Sequence, residues 1–77
     1  MTNSLAETAV LAAMMRDDSN RSAALAMEHL TVDDFTSDTN KTLFEACRKL
    51  TAPYNEIDVA LESGLNASCM EVAKQHG

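Results

Sequence analysis

A single proline and two glycines punctuate this 77-residue chain, whereas twelve of its residues are alanine. Alanine is the strongest helix former, and glycine and proline are the weakest. Aromatic residues are confined to Phe35, Phe44 and Tyr54, and Val and Ile together number five. A sheet needs both kinds to fill its pleated faces. The chain therefore predicts an all-α fold, a small orthogonal bundle of about five short helices around an aliphatic core. One domain spanning residues 1–77 is expected, because units below about 50 residues rarely support themselves.

Polar breaks and apolar spacing place the helices. Ser4-Leu5-Ala6-Glu7 reads as a capping box, with the Ser4 hydroxyl taking the Glu7 amide and the Glu7 carboxylate returning to the Ser4 amide. Behind it Ala6, Val10, Ala13 and Met14, with Leu11, form a stripe that predicts a helix from Ser4 to Arg16. A second helix is expected over Arg21–His29, capped by Ser19 or Asn20, with Ala23, Ala26, Met27 and Leu30 inward. Thr31 to Phe35 reads as a corner in which Thr31 caps one turn and Val32 and Phe35 point the same way. The third helix, about Thr39 to Leu50 with Ser37 or Asp38 as cap, places Leu43, Phe44, Cys47 and Leu50 on one narrow face. Pro53 stops it. Asp58 is expected to cap a short helix, Val59–Ser63, that Gly64 ends. Asn66 is expected to cap a last one through Gln75, with Met70, Ala73 and either Cys69 or Val72 inward. The predicted core comprises Val10, Met14, Leu30, Phe35, Leu43, Phe44, Cys47, Leu50 and Ile57, and the predicted caps are Ser4, Glu7 and Asp58.

Charge narrows the partners. Six Lys and Arg stand against twelve Asp and Glu, a net charge of −6. Direct nucleic-acid binding needs clustered cations that neutralise phosphates, and here only Arg48 and Lys49 are adjacent. Anionic membranes are disfavoured for the same reason, and no segment approaches the roughly 18 apolar residues that span a bilayer. A basic patch on a protein suits this chain better. No basic, apolar leader opens the sequence, so a cytoplasmic address with reduced Cys47 and Cys69 is expected.

Chemical motifs are thin. Asp33-Asp34 offers two carboxylates, but without a third ligand nearby the pair reads as corner structure. His29, Cys47, Cys69 and His76 are zinc-ligand types, yet no C-x-x-C or H-x-x-x-H spacing gathers them. Cys47 lies on an apolar stripe and reads as a small buried hydrophobe. The acidic surroundings do not suit a catalytic thiolate. No catalytic, cofactor-binding or metal residue is expected, and the sequence leaves partner-binding residues unassigned.

The ordered motifs nevertheless resemble one family. Ser4-Leu5-Ala6-Glu7-Thr8-Ala9-Val10-Leu11-Ala12-Ala13-Met14-Met15 resembles the opening of the N-terminal domain of DnaB-type replicative helicases. Leu30-Thr31-Val32-Asp33-Asp34-Phe35 is similar to the family's "hydrophobic, x, x, Asp/Glu, Asp, Phe". Leu43-Phe44-Glu45-Ala46-Cys47-Arg48-Lys49-Leu50 matches its "Ile/Leu-Phe-x-x-hydrophobic-x-x-Leu", and Ile57-Asp58-Val59 its "Ile-Asp-hydrophobic". The resemblance runs from Ser4 to Val59. It covers the family's globular head and neither its long helical hairpin nor its ATPase, since no G-x-x-x-x-G-K-[ST] is present. The helicase-binding domain of bacterial primases shares this head fold.

The resemblance implies a non-catalytic protein–protein interaction domain of DNA replication, touching a helicase, primase or loader. A free-standing phage or plasmid protein that copies the head to recruit, load or block a host helicase or primase is the alternative. An unrelated small helical regulator is a third. Without the hairpin that pairs subunits, a monomer or weak homodimer is expected.

Overall fold

Short polar caps and two chain breakers divide the described residues into five α-helices. A computed structural model describes residues 4–16 and 21–75. The helices are α1 (Ser4–Arg16), α2 (Arg21–His29), α3 (Asp38–Lys49), α4 (Glu56–Ser63) and α5 (Asn66–Gln75), with one 3-10 turn at Val32–Asp34. The described residues contain no strand. The fold is all-α.

Local chemistry explains the boundaries around α3 and α4. At the corner, the Asp34 carboxylate accepts the Thr31 N–H at 2.7 Å, closing the single turn that Thr31 starts. Ser37, in extended backbone, caps α3 by accepting the Asn40 N–H at 3.3 Å. The helix ends at Lys49, and Pro53 follows across a cis bond from Ala52. Gly64 closes α4 in the left-handed region at φ 74°, where L side chains are strained and glycine is not. The expected caps of α2, Ser19 and Asn20, lie outside the described residues.

In the C-terminal half two caps differ from expectation. Asp58 does not cap α4: it lies within the first turn, and Asn55 holds the cap position. The Asn55 side-chain oxygen accepts the N–H groups of Ile57 at 2.9 Å and Asp58 at 3.1 Å, so the helix begins at Glu56 rather than Val59. In α5 the Cys69 N–H reaches the Leu65 carbonyl at 2.9 Å, making Leu65 the flanking residue and Asn66 the first helical one.

The core sits where α1, α3, α4 and α5 converge, with α2 laid against α1. Met14, Phe35, Leu43, Phe44 and Cys47 are fully enclosed, and Val10, Leu30 and Leu50 pack half-buried against them. The Phe35 and Phe44 rings lie 4.7 Å apart with their planes tilted by 32°. Leu11, Val59 and Cys69 complete the enclosed set. Ile57 does not belong to it. Its side chain is 59% exposed, because Val59 and Ala60 are the residues α4 turns inward.

Helix α1 is rolled relative to the predicted stripe. Glu7, Leu11 and Met14 face the interior, while Ala6 and Ala13 are exposed. The roll follows from Glu7, a carboxylate with no solvent exposure at all.

Candidate interaction surface

Glu7 fixes the frame on which the surface is built. Its carboxylate does not serve a capping box with Ser4; it crosses to the entrance of α3. One oxygen accepts the Thr36 hydroxyl at 2.6 Å and the Thr36 N–H at 2.9 Å. The other accepts the Asn40 side-chain amide at 3.1 Å and the Ser37 N–H at 3.4 Å. Four donors outweigh the single amide that Ser4 offers. The Thr36 hydroxyl chiefly, then the Thr36 backbone, Asn40 and Ser37, hold the carboxyl at about 2, against the upward push of burial. A carboxylate at the start of α3 also meets the positive end of that helix. The contact joins residues about thirty positions apart in the chain and locks α1 against α3.

On the side of the molecule formed by α1, α4 and α5 lies an open groove of about 690 Å³. Met15, Ile57, Met70 and Ala73 supply its apolar surface, and Arg16, Glu56 and Lys74 line it as well. Beneath it the Cys69 thiol donates to the Glu56 carbonyl at 3.4 Å and touches the Met15 sulfur at 3.8 Å. A smaller recess between α1 and α2 is lined by Val10, Ala13, Ser22, Leu25 and Ala26. Four large apolar side chains are exposed among the described residues: Leu5, Leu25, Ile57 and Leu61.

Among the described residues the candidate chemical groups are not assembled into a site. Burial pushes the Cys47 thiol up to about 12, with the Cys69 thiol adding to the shift. Burial likewise raises Cys69, with Glu56 adding to it. Both thiols are thus held protonated at neutral pH. Asp34 is engaged in the corner turn, and Asp33 stands exposed. His29 is exposed at the end of α2, and His76 lies outside the described residues. Among the described residues no three His, Cys, Asp or Glu side chains converge on a metal-sized site. No helix there is long and apolar enough to cross a membrane.

This arrangement, a helical core with an apolar groove, accompanies a family match. The family model described as the DnaB-like helicase N-terminal domain matches residues 1–63. The chain belongs to the DnaB-like helicase N-terminal domain family. No curated protein and no solved structure matches it significantly. The match places the chain with a helicase-related domain of DNA replication, and it ends at Ser63, the last residue of α4. Helix α5 lies beyond the matched residues and still contributes Cys69 and Val72 to the core of this DnaB-like domain.

Two features of the domain were missed in the sequence. The partners of Glu7 were one, although a lone acid at i−4 from Leu11 and i−7 from Met14 was a signal that the stripe includes it. The other was the exposed pair Ile57 and Leu61. Alternating acids and aliphatics in Glu56-Ile57-Asp58-Val59-Ala60-Leu61-Glu62 was its signal, since one short helix cannot bury all four apolar positions.

Proposed function

We propose that this DnaB-like domain is a non-catalytic protein–protein interaction module of DNA replication, working in the cytoplasm by contact with a helicase, primase or loader. Family membership over residues 1–63 is the observation that carries the reading. Exposed aliphatic side chains on α4 beside an open groove supply a surface suited to a protein partner. The net charge of −6 favours such a partner over DNA, whose phosphates it would repel. We further propose that residues 1–77 form one domain, because α5 packs on both α1 and α4 and fills part of their shared core.

Titration of the chain against purified primase, helicase and loader by calorimetry tests the reading. Saturable binding to one of them is expected, together with no submicromolar DNA affinity by fluorescence anisotropy at physiological salt. Tight DNA binding with no protein partner would overturn it. Truncation after Gly64 is expected to abolish cooperative unfolding, and a stable truncated core would end the one-domain proposal.

A further inference from the structure

We propose that the outer face of α4 is the docking surface for a cationic amphipathic helix of another protein. Ile57 and Leu61 stand one turn apart on this helix, 59% and 78% exposed. Side chains at i and i+4 share a face, so the two form one aliphatic strip. The fold itself does not use it, because Val59 and Ala60 already anchor α4 to the core. Ile57 also borders the groove with Met15 and Met70, which extends the apolar surface inward. A strip of this kind is what a partner helix covers with its own spaced anchors.

Charge selects the occupant. Glu56, Asp58 and Glu62 flank the strip, all exposed, and α4 contains no Lys, Arg or His. Carboxylates so placed attract Lys or Arg set beside a partner's anchors. They repel a second copy of the same face, since two α4 helices would set three carboxylates against three. The cations that line the groove, Arg16 and Lys74, belong to α1 and α5. The cationic side of the occupant therefore lies along α4, whose charged side chains are all carboxylates. The inference rests on the reading of the chain as a protein-binding domain and specifies the chemistry of its partner.

The test uses the full chain and a fluorescein-labelled synthetic helix of Leu, Ala and Lys, with a counterpart in which every Lys is Glu. The Lys helix is expected to bind, more weakly as salt rises, and the Glu helix is expected not to. The double variant Ile57→Ala/Leu61→Ala should lose about tenfold in affinity or more. The triple variant Glu56→Gln/Asp58→Asn/Glu62→Gln should lose most of the salt dependence. Circular dichroism of both should match wild type, because the altered side chains lie outside the core. Equal binding of the two helices, undiminished binding by the double variant, or wild-type self-association that Leu61→Ala abolishes would overturn the proposal. If a replication protein binds wild type and double variant equally, this surface falls and the domain reading stands. If the Lys helix docks through Ile57 and Leu61 but no replication protein binds, the surface stands and the domain reading falls.

Discussion

A carboxylate without solvent exposure is unfavourable unless hydrogen bonds replace its lost water. Glu7 has four such bonds, and their effect on stability has a definite sign. Its pKa falls from an ordinary 4.5 to about 2 on folding. A depressed carboxyl contributes stability that is complete above the unfolded value and disappears as pH drops through the folded one. Glu7→Gln is therefore expected to lose about 2–3 kcal/mol at neutral pH, in the range for charge-assisted buried bonds. Urea titrations at stepped pH should show the gap between wild type and variant closing between pH 4.5 and pH 2. A gap that stays constant through that window would mean the carboxylate is not held ionised. Phe44, fully enclosed against Phe35, carries the other large single-residue effect. Phe44→Ala is expected to cost about 3–5 kcal/mol, through lost burial and the cavity left behind. A loss below about 1 kcal/mol in denaturant titration would contradict that packing.

Among the elements, α4 is the shortest α-helix described, and both of its ends are capped. Asn55 satisfies two N–H groups at its start, and Gly64 accommodates the left-handed residue at its close. Asn55→Ala is expected to destabilise the protein by about 1 kcal/mol. Asp58→Ala should cost less, about 0.3–1 kcal/mol, because Asp58 only complements the helix dipole from within the first turn. Thermal melts of the two variants check the order, and a larger loss for Asp58→Ala would return the cap to Asp58. The bounds expected for α1 and α2, Ser4–Arg16 and Arg21–His29, are those of the structure. The start expected for α4 is not, because Asn55 and Asp58 are both good cap residues three positions apart. Which one terminates the loop depends on the path of residues 51–55, and Tyr54 in that loop is buried.

At the scale of the molecule, the chain presents 4571 Å² of surface. A stable dimer buries about 600–1,000 Å² on each partner, a large share of so small a protein. Only four large apolar side chains remain exposed among the described residues, and two of them are flanked by carboxylates. Sedimentation equilibrium at micromolar concentration is therefore expected to show a monomer or weak dimer, with any association rising as salt screens the net charge of −6. A hexamer would mean that the domain carries its own ring-forming surface, and would refute the expectation.

Fold class and the α3 face were legible in the sequence because both depend on local propensity and spacing. Many alanines, few β-formers and the interval Leu43–Phe44–Cys47 act within a few turns of chain. The ordered motifs likewise led to the family, since they lie along the chain and need no fold to be read. The roll of α1 was not legible. An acid scores as a solvent-facing residue until Thr36, Ser37 and Asn40 arrive from about thirty positions away to bind it. Nor was the exposure of Ile57, an aliphatic residue whose place is decided by competition with Val59 and Ala60 for one narrow interface. Tertiary packing settled both, because burial is shared among elements and a helix can turn only one side inward.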